Sequence, residues 1–201
     1  LIVACQRGNL SKVVELLRQG VNANSKNIKG WNPLMFATVK GREDIVRELL
    51  KAKDIDVNNT TSSGISTLMI AAGCGHTGIV EALMDKKVNI NARDKDENTA
   101  LGWACLLGRA EVVSLFIRNS VDLTAKLANG LTALRLAILS GQKEIAKLLI
   151  KNTTQKDILS ASSTDGVTAL MLACSKGMNE VALSLITKAS SDMYLNAKNK
   201  D

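Results

Sequence analysis

Apolar residues recur along this chain in a fixed four-position figure. It reads Ile45, Val46, Leu49, Leu50, then Ile79, Val80, Leu83, Met84, then Val112, Val113, Phe116, Ile117, then Ile145, Ala146, Leu149, Ile150, and last Val181, Ala182, Leu185, Ile186. A spacing of i, i+1, i+4, i+5 gathers these positions on one face of a helix. Ahead of every such helix stands a glycine, and Gly8, Gly41, Gly75, Gly108, Gly141 and Gly177 follow one another at intervals of 33, 34, 33, 33 and 36 residues. A period near 33 marks a stacked repeat.

The stretch before each glycine repeats as well. Seven residues upstream lies a leucine (Leu1, Leu34, Leu68, Leu101, Leu134, Leu170), and four upstream an alanine (Ala4, Ala37, Ala71, Ala104, Ala137, Ala173). Two residues before five of those leucines come Asn32, Ser66, Thr99, Thr132 and Thr168, whose side chains can accept a hydrogen bond from a free N–H at a helix start. A short first helix is therefore predicted from each cap to its glycine. Segments such as VNINARDKDE and VDLTAKLANG join the units; they are rich in turn formers, too short for a helix, and read as projecting loops or hairpins.

The template resembles the ankyrin repeat, whose unit runs approximately D-x-x-G-x-T-P-L-H-x-A-A-x-x-G, then a helix with I-V-x-x-L-L, then G-A-D-V-N-A. The fullest copies are GWNPLMFATVKGREDIVRELL, GISTLMIAAGCGHTGIVEALM and GVTALMLACSKGMNEVALSLI, and the resemblance covers essentially the whole chain. It implies an all-α ankyrin-repeat solenoid of stacked helix-turn-helix units with projecting β-hairpin or loop fingers. A single domain over 1–201 is expected, with repeats at about 1–29, 30–63, 64–96, 97–129, 130–165 and 166–201. Asn24, Asn58, Asn91 and Asn196 hold the positions where the family hydrogen-bonds one finger to the next.

Several positions depart from the family pattern. Met35, Met69, Gly102, Arg135 and Met171 replace the motif histidine, and its proline survives only as Pro33, so the usual threonine–histidine hydrogen bonds are not expected. Gly20 ends the first second-helix, but Lys53, Lys87, Ser120, Thr153 and Ala189 stand at the matching places, where a left-handed helix end would strain a side chain. Modest stability follows. Lys12 takes the place of Ile45 and its equivalents, as suits an end cap. At the other end YLNAKNKD matches NINARDKD, which suggests that a further unit begins after Asp201. Insertions near KAKDIDVNN and in KNTTQKDILSASSTDG follow second helices and are expected in loops.

Composition narrows the function classes. Aromatics are 2% of the chain, so the core must be built from Leu, Ile, Val and Ala. Apolar runs such as ALGWACLLG fall short of the roughly 18 residues of a membrane-spanning helix. The opening LIVACQRG has no basic n-region or small-residue cleavage site. The four cysteines form no Cys-x-x-Cys pair, and stacking at roughly 10 Å per layer puts Cys105 beyond disulfide reach of Cys5 and Cys174. Free buried cysteines point to a reducing compartment, cytoplasmic or nuclear. The net charge of +7 raises nucleic acid or an anionic membrane surface as partner, but most Lys and Arg lie on or just after second helices among acids, as a solvated outer face would have them.

No catalytic arrangement emerges. His76 is the single histidine and sits at an inter-helix turn. Gly73, Gly75 and Gly78 match G-x-G-x-x-G formally, yet they follow a helical LMIAA where a dinucleotide site needs a strand. No enzyme, cofactor or metal is therefore expected. The sequons at Asn9, Asn58, Asn59 and Asn152 read as structural.

The resemblance instead implies a protein-binding module whose first helices and fingers line a concave side. On each first helix the residues five and one before the glycine are expected to share a face away from the core, with the residue two before it at the edge. Among these, Phe36, Val39, Lys40, Ile70, Cys74, Trp103, Leu106, Leu107, Leu139 and Lys176 are the candidate partner-binding residues, joined by Trp31, Ile65 and Leu131 in the fingers and by Arg135 at the motif-histidine position. Trp103, Leu106, Leu107 and Leu139 form the preferred apolar stripe. The partner expected is an extended peptide, a helix, a folded domain or another domain of the same chain, bound by a monomer. Two other classes are a substrate-recruiting or targeting region of a larger multidomain enzyme and a binder of nucleic acid or anionic lipid.

Overall fold

The structure, a computed structural model, describes residues 1–127, 130–154 and 167–198, with side chains described to residue 190. It forms two compact units, Leu1–Ala100 and Leu101–Asp201. The first holds α1 (Ile2–Arg7), α2 (Leu10–Arg18), α3 (Pro33–Val39), α4 (Glu43–Leu49), α5 (Thr67–Cys74) and α6 (Thr77–Met84). In the second are α7 (Ala100–Leu106, entering from the last residue of the first unit), α8 (Ala110–Arg118), α9 (Ala133–Leu139), α10 (Lys143–Asn152), α11 (Ala169–Ser175) and α12 (Asn179–Lys198).

The periodic glycines and alanines have one local cause. Each of the six glycines has a positive φ between 64° and 82°, the left-handed conformation that ends a first helix cheaply only without a β-carbon. The N–H of the next residue then donates back to the carbonyl of the periodic alanine: Asn9 to Ala4, Arg42 to Ala37, His76 to Ala71, Arg109 to Ala104, Gln142 to Ala137 and Met178 to Ala173, at 2.8–3.0 Å. At the other end of the first helices Asn32, Ser66, Thr132 and Thr168 accept from the N–H three residues on, as predicted.

Stacking explains the residue types. In the first unit α3 lies between α1 and α5, and α4 between α2 and α6. In the second, α9 packs on α11 and α10 on both α8 and α12. Ala37, Ala71, Ala104, Ala137 and Ala173 are wholly buried, because a methyl group lets neighbouring first helices approach closely. The apolar rows of the second helices close the other half of the core: Val13, Ile45, Ile79, Val112, Ile145 and Val181 are buried, whereas Lys12 is exposed and pairs with Glu15. The outer side of α11 has no helix upon it among the described residues, so Leu170, Met171 and Cys174 are exposed where Leu34, Met35 and Cys5 are buried.

One element of the expected architecture is corrected. There are no projecting β-hairpin fingers: the described residues contain no strand, only an isolated bridge between Thr60 and Ser66. Tight turns replace them, in which the first residue's N–H donates to the carbonyl four residues on (Asn27 to Trp31, Thr61 to Ile65, Asp94 to Asn98, Leu127 to Leu131). In three of these the first side chain also captures the N–H groups at positions two and four on: Asn27 Oδ1 from Lys29 and Trp31, Thr61 Oγ1 from Ser63 and Ile65, Asp94 Oδ1 from Asp96 and Asn98. Those groups are the ones a ladder would need. Asparagines do link successive loops: Asn24 bonds the carbonyl of Asp54 and the N–H of Asp56, and Asn58 accepts from the N–H of Asn89.

Left-handed ends to the second helices occur only in part. Gly20, Lys87 and Ser120 have φ of 77°, 54° and 54°, but Lys53 does not share this conformation and Thr153 is extended at φ −108°. Ala189 ends nothing, since α12 runs on to Lys198 through the segment likened to an inter-repeat loop. Alanine is the strongest helix former and no glycine or proline interrupts the stretch. Most of KNTTQKDILSASSTDG, and the side chain of Asn196, lie outside the described residues.

Candidate partner-binding surface

A groove of about 800 Å³ lies in the first unit, between the start of the chain, the first inter-repeat turn and α3. Gln6 of α1 forms one side. Phe36 and Val39 of α3, with the adjoining Lys40, form the other, and the turn contributes Asn27, Ile28, Lys29 and Trp31. Its volume falls in the roughly 300–1,000 Å³ of ligand clefts.

The turn is held rigid before any partner arrives. Asn27 exchanges two bonds with Trp31: its N–H donates to the Trp31 carbonyl at 2.9 Å, and its Oδ1 accepts from the Trp31 N–H at 3.0 Å. Gly30 follows with φ 79°, where a β-carbon would lie 2.9 Å from the Ser62 nitrogen of the next turn. This fixes the backbone of Trp31, whose ring packs at 5.3 Å and 40° against Phe36, a tilted aromatic pair. Ile28, at the tip, is fully exposed.

The expected binding residues are distributed unevenly. Trp31, Phe36, Val39 and Lys40 meet in this groove. Ile65 and Cys74 are partly buried, and Ile70 is 8% exposed, with little surface to offer. In the second unit Leu106, Leu107 and Leu139 are exposed, Trp103 and Leu131 partly buried, and Lys176 exposed. Arg135 is 3% exposed, and its Nε and Nη1 have no hydrogen-bond partner. Asn27, Ile28 and Lys29 were missed by the periodic reading because, although the turn recurs at Thr61, Asp94 and Leu127, its residue types do not. A large apolar residue amid polar turn formers in NIKG is the signal that marks them.

Several cations of the second helices have acidic partners: Lys12 with Glu15, Arg47 with Glu43, Lys51 just after its helix with Glu48, and Lys147 with both Glu144 and, on the next second helix, Glu180. Hydrogen bonds from Lys147 hold the Glu180 carboxyl below its usual range, and those from Lys12 do the same for Glu15. The groove is lined by Lys29 and Lys40 and by no acid, and neither lysine joins an ion pair among the described residues.

Across the chain, a profile of ankyrin repeats in three copies matches residues 1–94, 68–160 and 125–199. The chain belongs to the ankyrin-repeat family. It is 34% identical over 97 residues to an ankyrin repeat-containing protein of Schizosaccharomyces pombe, covering 46% of this chain and 41% of that protein. Over 83 residues it is 36% identical to alpha-latrocrustotoxin-Lt1a of Latrodectus tredecimguttatus, covering 41% of this chain and 6% of the toxin. A mouse ankyrin repeat, SAM and basic leucine zipper domain-containing protein is 34% identical over 97 residues, 48% of this chain and 20% of that one. The chain thus spans less than half the length of these relatives.

Ankyrin-repeat architecture is typical of non-catalytic protein–protein interaction modules. The described residues contain no group of three His, Cys, Asp or Glu placed to hold a metal, and no helix long and apolar enough to cross a membrane. His76 stands at the start of α6 without a side-chain capping bond, its ring beside Gly41. The three glycines of the formal dinucleotide pattern serve the repeat: Gly73 is buried inside α5, Gly75 ends it, and Gly78 opens α6 against the Glu43 carboxylate.

Proposed function

We propose that this chain recognises another protein through the first-helix side of its repeats, with the Trp31–Phe36 groove as the anchoring point. The observation that carries the reading is an apolar, aromatic-floored cleft on a turn already locked by its own hydrogen bonds. Preorganised aromatic anchors within a polar rim are the usual energetic centres of interfaces, because their ordering cost is spent before binding. Leu106, Leu107 and Leu139 supply a second apolar surface on the other unit, and Trp103 lies on the same first helix as Leu106. The repeats proposed are those set by the glycine period. The partner is a peptide, helix or folded domain, separate or from the same polypeptide, met in the cytoplasm or nucleus, a compartment supported by four cysteines that form no disulfide.

Photo-crosslinking tests the reading. A benzophenone side chain placed at Ile28 or Lys40 is expected to capture a partner protein in cells, and one at Lys51 on the outer face is not. Binding of the captured protein should fall by about 2 kcal/mol or more in Trp31→Ala, the scale of an interface hot spot. Trp103→Ala and Leu107→Asp report separately on the second unit. Unchanged affinity in all three folded variants overturns the proposal.

A further inference from the structure

We infer that the occupant of the Trp31–Phe36 groove is an acidic segment, a large apolar side chain flanked by carboxylates. The inference rests on the reading above and adds the partner's chemistry to it. Two features of the groove require both halves of that description.

The floor calls for an apolar anchor. Trp31 and Phe36 present partly buried rings, Val39 continues the surface along α3, and Ile28 stands fully exposed at the rim. Seating a leucine, phenylalanine or tryptophan there removes apolar surface from water on both partners. An exposed isoleucine at the tip of a fixed turn has no such cover within the first unit.

Charge complementarity supplies the flanking groups. Every lining residue is neutral except Lys29 and Lys40, so the groove carries two positive charges and no negative one. Lys12, Arg47 and Lys51 of the first unit each have an acid at ion-pair distance, 2.8 Å to Glu15, 2.7 Å to Glu43 and 2.6 Å to Glu48. Lys29 and Lys40 have none among the described residues, and no acid lines the groove between them. A basic segment would meet repulsion from both lysines, whereas an acidic one is steered in and held in register.

The test selects a random peptide library displayed on phage against the full chain, then measures selected peptides by fluorescence anisotropy against the parent, Trp31→Ala and the double variant Lys29→Glu, Lys40→Glu. Far-ultraviolet circular dichroism checks that each variant is folded. The expected peptides carry Asp or Glu on both sides of a Leu, Phe or Trp, weaken as salt rises, and lose about tenfold or more in affinity to both variants. Peptides of neutral or basic composition that depend on Trp31 but not on the two lysines overturn the acidic inference and leave the groove reading standing. Peptides indifferent to Trp31→Ala, or a selection that enriches none, overturn both.

Discussion

The imidazole of His76 occupies the space that a β-carbon on Gly41 would enter, with Cε1 2.8 Å and Nε2 3.1 Å from that point. Gly41 is thus constrained twice, by its φ of 64° and by the ring of the next repeat. Gly20, in the same unit, has φ 77° with nothing within 4 Å of its added β-carbon. Gly20→Ala should cost only the left-handed term, about 1–2 kcal/mol. Gly41→Ala should lose about 1 kcal/mol or more beyond that from overpacking. Urea unfolding of both, alone and with His76→Ala, separates the terms, since the excess should vanish once the ring is gone.

Lys87 and Ser120 adopt the conformation that Gly20 adopts, with a side chain on each. Lys87→Gly and Ser120→Gly are therefore expected to stabilise their units by about 0.5–1 kcal/mol. Lys53, at the matching repeat position but without positive φ, should give no gain as glycine. An equal gain at all three positions would contradict the assignment of strain to φ.

These two cases also show how far the sequence speaks. The first-helix ends were legible because one left-handed turn demands glycine every time and one backbone bond reaches the alanine beneath it. Ends of second helices were not, since Lys53, Lys87, Ser120, Thr153 and Ala189 satisfy different local balances that a template averages away. The hairpin reading failed for a related reason: Asn27, Thr61 and Asp94 take up N–H groups that paired strands would share, and turn composition alone does not reveal that competition. At the site, Phe36, Val39 and Lys40 were found by helix phase and Trp31 by its place in a finger beside a glycine. Ile28 and Lys29 were not, because the recurring turn carries different residues in each repeat. Ile70 and Arg135 satisfied the same phase or motif position and proved to be buried.

Among the departures from the family motif, Arg135 buries a charged group at 3% exposure. Met35 and Met69 fill the equivalent site with sulfur and carbon, and Met69 Sδ even accepts from the Ser66 N–H at 3.4 Å. Arg135 brings a guanidinium into the same depth with Nε and Nη1 unpartnered. Replacing a buried guanidinium that has two unpartnered nitrogens with an apolar side chain of similar length is expected to stabilise, and Arg135→Met should raise the unfolding free energy of the second unit by about 1 kcal/mol or more. Chemical denaturation of the full chain reads this directly. A fall in stability would mean that the guanidinium makes compensating contacts after all.

Three cysteines share one repeat position, yet their surroundings set different chemistry. Burial pushes the Cys5 thiol up to about 11 and the Cys105 thiol up to about 12, while Cys174 is exposed on α11. Only the thiolate alkylates, so at neutral pH iodoacetamide should modify Cys174 first, and Cys5 and Cys105 on the order of a hundredfold more slowly or only after unfolding. The same shifts predict a pH dependence. A thiol whose pKa rises from about 9 on folding holds its proton in the native state and loses it more readily in the unfolded one. Its contribution to stability is complete below pH 9 and is lost as pH rises through about 11 for Cys5 and about 12 for Cys105. Urea midpoints should therefore fall between neutral pH and about pH 10.5, and fall less steeply in Cys5→Ala, Cys105→Ala. If that variant follows the parent at every pH, lysine and tyrosine titration accounts for the alkaline loss and the buried thiols take no part in it.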